Sequence, residues 1–172
     1  MSVFHRLEPV PYDRLTVAEL LDALGERTPS PASGAAIAVT GALAAATAEL
    51  AARFADDDGA VERAQGLRNR FIVLADDDAD AYQAFMADRS DENRSRTVEV
   101  PLAMAEAGLE VVRLGRGLEG RLSRAVAGDA AAAAILARSV VAAACRLVSI
   151  NAREGDERVE RAERLAADAG AR

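Results

Sequence analysis

Asp78 is a carboxylate where helical spacing calls for an apolar side chain. Ala64, Leu67, Phe71, Leu74, Asp78, Ala81 and Phe85 recur at alternating steps of three and four, which puts them on one face of a helix, and Asp78 is the only polar member. A carboxyl among apolar neighbours either finds a cation or has its pKa raised into a range suited to proton transfer. Spacing leaves both readings open: an ion pair with an arginine such as Arg146 or Arg53, or an acid–base group.

The neighbours of Asp78 suggest a different chemistry. Asp76-Asp77-Asp78-Ala79-Asp80 contains the Asp-Asp-x-x-Asp pattern with which isoprenoid synthases bind magnesium diphosphate, and clustered carboxylates favour hard cations. Those enzymes carry a second acidic motif that this chain lacks, and aromatics at 3% fit a prenyl cavity poorly. Asp76, Asp77 and Asp80 read as a solvated helix face, and Asp78 as pointing inward. Further candidates are the loop Thr28-Pro29-Ser30-Pro31-Ala32-Ser33-Gly34, whose end meets a helix N-terminus where free N–H groups suit an anion, and Asp129 with Asn151 at the two ends of a later helix. Cys145, in an alanine-rich segment, reads as a small core residue, and His5 as part of the N-terminal tail.

Composition narrows the chemistry. All 21 basic residues are arginine, so lysine Schiff-base chemistry is excluded. A single histidine excludes a multi-histidine metal site, and a lone cysteine excludes an intrachain disulfide. Acid–base work falls mainly on Asp, Glu, Tyr, Ser or bound water. A net charge of −7 argues against nucleic acid as a partner. No run of about 18 charge-free apolar residues is evident, so no membrane span is expected. The N-terminus lacks a signal-peptide apolar region, and a cytoplasmic location is expected.

The elements that must position these residues are helices. In 172 residues, 51% are hydrophobic and alanine supplies much of that share, which favours an all-α bundle. An irregular lead-in spans 1–15 and a helical domain 16–170. Thr16-Val17-Ala18-Glu19 is a capping-box pattern opening a short helix that ends near Gly25. A long helix follows the 28–34 loop with a stripe of Ala36, Thr40, Leu43, Thr47, Leu50 and Phe54 and stops near 56–59. The Asp78 helix comes next. A fourth carries Val98, Leu102, Ala105, Leu109 and Val112, starting or kinking at Pro101. Glycines weaken the signal over 115–128. Asp129 then caps a helix with the stripe Leu136, Val140, Ala143, Leu147 and Ile150, and a charged helix covers roughly 155–169. Alanine-rich stripes on several helices exceed what one small bundle buries, so a homodimer is expected.

Together these stretches resemble the cyclodeaminase/cyclohydrolase family of folate one-carbon metabolism, over about residues 14–165 and in the family's order. Leu20-Leu21-Asp22-Ala23-Leu24 leads into Thr28–Ala36, where the family has a Pro-Gly-Gly-Gly-Ser-like turn. Asp78-Ala79-Asp80-Ala81-Tyr82 resembles its Asp-x-x-Ala-aromatic segment. Val100-Pro101-Leu102 with Ala105-Glu106 resembles its Val-Pro-Leu…Ala-Glu helix, and the helix opened by Asp129 closes on Leu147-Val148-Ser149-Ile150-Asn151, similar to Asn-Val-x-Ile-Asn. The chain departs from the pattern at Ala32, Ser33, Ala35, Gly128 and Leu147.

The resemblance implies a dimerising helical bundle of about six helices. It implies an enzyme that opens 5,10-methenyltetrahydrofolate with water, as a C–N hydrolase, or closes 5-formiminotetrahydrofolate with release of ammonia, as a lyase. The tetrahydrofolate derivative is then a substrate rather than a cofactor, and neither reaction implies a metal or redox cofactor. Asp78 becomes the proton-transfer residue and Asp129 a second carboxylate or pterin anchor. Asn151 and Tyr82 orient the substrate, Ser33 and Gly34 line the turn, and Arg146 meets the glutamate tail. The missing polar groups leave room for a diverged substrate, or for a non-catalytic dimer that binds a folate-like molecule.

Overall fold

Thr16 opens the first helix as its spacing predicts. Its N–H donates to Glu19 Oε2 at 2.8 Å and its Oγ1 accepts from the Glu19 N–H at 3.2 Å, so the capping box is complete. A computed structural model describes residues 11–28 and 31–170. His5 and most of the 1–15 lead-in lie outside the described residues, where Tyr12–Arg14 forms one 3₁₀ turn. The helices are α1 (Val17–Gly25), α2 (Ser33–Phe54), α3 (Asp58–Ala87), α4 (Asp91–Glu119), α5 (Ala127–Asn151) and α6 (Glu157–Gly170), with no strand among the described residues. Side-chain caps from Asp57 and Ser90 start α3 and α4.

α2 packs against α3, α4 and α5; α4 also packs against α3 and α5, and α6 covers α4 and α5. The start of α2 and the end of α5 meet at one end of the bundle, while Ala51, Ala52 and Ala130 cluster at the other. These two helices therefore run antiparallel. By length and hydropathy each would pass for a membrane-spanning segment, but 56% and 44% of their most apolar windows are buried inside the bundle.

The expected faces of α3 and α4 hold. Phe71, Val98 and Val112 are fully buried, and Leu67, Leu74, Leu102 and Leu109 nearly so. Those of α2 and α5 are corrected. In α2 the inward face is Ala38, Gly41, Ala42, Ala45, Ala48 and Ala52, whereas Leu43, Leu50 and Phe54 are 59%, 44% and 58% exposed. In α5 the inward face is Ala130, Ala133, Ala137, Val141, Ala144 and Val148; Val140 is buried as expected, but Ile150 is 60% exposed. Small side chains let helix axes approach, and the closest approach goes to the alanine face. α4 begins ten residues before Pro101 rather than near it, so the proline sits buried inside the helix.

Glu49 is a second carboxylate that spacing did not single out. It is only 7% exposed on α2 and accepts from Gln65 Nε2 at 2.9 Å, Arg53 at 2.6 Å and Arg68 at 2.8 Å. The Gln65 hydrogen bond, then that of Arg53, hold its pKa below the ordinary glutamate value.

Gly41 marks a close contact of α2 with α3, because a Cβ there would overlap the ring of the fully buried Phe71. Gly41→Ala gains helix propensity of up to about 1 kcal/mol, but overpacking costs about 1–3 kcal/mol. The variant should therefore unfold at lower denaturant concentration than the wild type. An equal or higher midpoint would show that Phe71 yields freely.

Candidate active site

Where the start of α2, the last third of α3, the start of α4 and the end of α5 converge, they leave a cleft of about 310 Å³. Thr28, Ala32, Ser33 and Gly34 form one wall. Asp78, Ala79 and Tyr82 form the second, and Thr97 with Leu147 and Asn151 closes the third.

Asp78 is the acidic group of this cleft. Its stripe turns it toward α2, where a Cβ on Gly34 would overlap its carboxyl group, so a side chain at 34 would displace that carboxyl. Among the described residues the carboxyl has no hydrogen bond and no ion pair; burial pushes its pKa up to about 6. Facing it is the first turn of α2. Ala32 stands at the N-cap without a capping side chain, and the first intrahelical bond is Ala36 N–H to Ala32 O at 3.2 Å. The N–H groups of Ser33, Gly34 and Ala35 are thus left without partners from their own helix, at its positive end.

Asn151 is held by a backbone defect. Pro101 has no N–H, so the Thr97 carbonyl four residues earlier loses its helical partner. Asn151 Nδ2 donates to that oxygen at 2.8 Å, which ties the end of α5 to α4 across the cleft. Thr97 is a cleft residue that motif reading missed; its position four before Pro101 was the available signal. Tyr82 lies at the mouth, 40% exposed.

Five of the seven residues singled out from sequence therefore share one cleft: Ser33, Gly34, Asp78, Tyr82 and Asn151. Asp129 and Arg146 do not join them. Asp129 sits in the first turn of α5, whose N-cap is Val126, and 22 residues of helix separate it from Asn151, about 33 Å. Arg146 is exposed and does not line the cleft. Neither arginine considered for Asp78 reaches it, since Arg53 is engaged by Glu49 at the far end of α2. The acidic run also divides: Asp76 Oδ1 accepts from the Tyr12 N–H at 3.3 Å, Asp80 is exposed, and Asp78 enters the cleft. Leu147, where the family pattern has asparagine, presents an apolar wall.

Known proteins resemble this chain over most of its length. The chain is 27% identical over 177 residues to the methenyltetrahydrofolate cyclohydrolase of Methylorubrum extorquens, covering 87% of this chain and 85% of that protein. The crystal structure of formiminotetrahydrofolate cyclodeaminase from Thermotoga maritima superposes with a TM-score of 0.83 over 91% of this chain and 92% of that one, at 24% identity, which establishes a shared fold. The family model of formiminotransferase-cyclodeaminase matches residues 16–169, nearly all of the helical bundle. The chain belongs to the formiminotransferase-cyclodeaminase family.

Proposed function

We propose that this chain is a folate one-carbon enzyme of the cyclohydrolase or cyclodeaminase type, with Asp78 as its proton-transfer residue. The observation that carries the reading is a carboxyl without a cationic partner, in a cleft, with a pKa of about 6. Such a group is ionised often enough near neutrality to accept a proton and protonated often enough to return it. The 5,10-methenyl bridge is itself an amidinium cation, the charge that an unpaired carboxylate attracts.

In the hydrolytic direction, water adds to the methenyl carbon between N5 and N10 while Asp78 takes one of its protons. The tetrahedral carbon then breaks its bond to N5. Asp78 returns its proton to N5, the remaining hydroxyl proton goes to solvent, and the product is 10-formyltetrahydrofolate. In the deaminating direction, N10 attacks the formimino carbon while its proton passes to the imino nitrogen; a second proton, from Asp78, lets that nitrogen leave as ammonia and the methenyl cation forms. Neither sequence changes an oxidation state, so neither calls for a redox group. Asn151 and Tyr82 are proposed to orient the ligand by hydrogen bonds, and Ser33 and Gly34 to line its approach to α2.

Leu147 and the capless Ala32 favour one second reading, a folate-like ligand held without turnover. Loss of methenyltetrahydrofolate absorbance above the buffer rate, or its gain from 5-formiminotetrahydrofolate, decides for the enzyme; calorimetric binding with neither change decides for the binder. A homodimer remains part of the proposal, supported by the exposed Leu43, Leu50 and Phe54 on the outer face of α2. Light scattering should give twice the 18.0 kDa chain mass, and Leu43→Asp should shift it toward the monomer. A wild-type monomer at micromolar concentration rules the dimer out.

Asp78→Asn should lower kcat by about 10²–10⁴-fold, the usual worth of a general acid–base group; full activity in this variant removes Asp78 from the mechanism. The same substitution should stabilise the fold at pH 7. The folded pKa of Asp78 lies above its unfolded value, so its contribution is complete below about pH 4 and lost as pH rises through about 6. Denaturant titrations should show the variant more stable than the wild type at pH 7, with the gap closing by pH 4.

A further inference from the structure

Beside the cleft, one helical turn toward the start of α4, lies a smaller pocket of about 180 Å³ lined by Arg94, Ser95 and Val98 with Asp91, Arg153, Asp156 and Arg158. Two of its arginines are already engaged. Arg153 pairs with Asp91, and Arg158 with Asp156 at 2.6 Å and Glu99 at 3.3 Å. Arg94 is different. It makes no ion pair among the described residues, and its Nε is their one buried side-chain nitrogen or oxygen without a hydrogen-bond partner. Its guanidinium lies over the Phe85 ring, 4.8 Å from the centroid.

A buried guanidinium N–H without a partner is costly, and the Nε–H of Arg94 is in that state. A guanidinium carried over a ring keeps its planar fork, which can meet a carboxylate in two parallel hydrogen bonds. The pocket adjoins the cleft on two helices: on α4 Arg94 and Val98 line the pocket and Thr97 the cleft, and Arg153 follows the cleft residue Asn151 just past the end of α5. Thr97 lines the cleft and its hydroxyl donates to the Arg94 carbonyl at 2.8 Å. Phe85 stands seven residues beyond Asp78 on the same α3 stripe, about 10 Å of helix rise.

We infer that Arg94, seated on Phe85, binds the carboxylate that ends an elongated ligand whose reacting carbon lies at Asp78. This rests on the folate reading, under which the carboxylate is that of the glutamate joined through the aminobenzoyl group. Arg94 thereby takes the tail-binding part that sequence had given to Arg146.

Calorimetry on the full chain with two ligands tests it: 5-formyltetrahydrofolate, and the matching pteroyl amide in which an uncharged amide replaces the glutamate. The wild type should bind the glutamyl ligand about tenfold tighter or more, the factor expected for one charge-assisted pair. Arg94→Gln should bring that ratio close to one, and Arg94→Lys, which keeps the charge without the fork, should give an intermediate ratio; circular dichroism confirms that both are folded. Equal wild-type affinity for the two ligands overturns the tail site while leaving the folate reading standing, and needs no variant to fold. A preference that survives in a folded Arg94→Gln overturns the assignment to Arg94. Binding of neither ligand by the wild type overturns the folate reading, and the tail site with it.

Discussion

The close approach of α2 to its neighbours is the constraint on which the rest of this structure depends. Gly34 and Gly41 lie on the same side of that helix, and each occupies a point where a Cβ would collide with a side chain of α3: the Asp78 carboxyl at the first, the Phe71 ring at the second. Between and beyond them the inward face is almost all alanine. With bulky residues turned outward, the helix axes meet at short distance. Asp78 is thereby pressed against the start of α2 and shielded from water, and the shielding raises its pKa.

The two buried or half-buried carboxylates show how differently the same group behaves. Glu49, deeper by surface exposure, is surrounded by Arg53, Gln65 and Arg68, and its pKa falls. Asp78 has none of these, and its pKa rises. One arrangement is a satisfied polar knot that joins α2 to α3. The other keeps a charge without a partner, an arrangement whose cost to the fold makes sense where a ligand supplies the missing charge.

What could be read from sequence followed the size of the side chains. Large apolar residues at alternating steps identified the inner faces of α3 and α4, and a carboxylate among them made Asp78 conspicuous. In α2 and α5 alanine is the commonest residue, so the fewer large residues drew attention and pointed to the wrong face. Alanine carries little periodic signal, and the packing rule that sends it inward needs knowledge of the neighbours. The same limit applies to pairing at a distance. Sequence brought Ser33, Gly34, Asp78, Tyr82 and Asn151 together through their family order, but it also enrolled Asp129, because order does not reveal that a 25-residue helix carries its two ends to opposite poles of the bundle. Thr97 and Arg94 belong to no motif; what distinguishes them is a carbonyl orphaned by a proline and a guanidinium orphaned by burial.

The bond from Asn151 to Thr97 settles the polarity of one wall of the cleft. A side-chain amide ordinarily can turn end for end, offering either its oxygen or its nitrogen. Here a reversed amide would set its oxygen against the Thr97 carbonyl, lone pair against lone pair, so the rotation is blocked and Oδ1 must lie on the side away from Thr97. Pro101, buried inside α4 and remote in sequence from Asn151, thus decides through a missing backbone hydrogen which atom of a side chain on α5 stands against the carbonyl and which is left to accept.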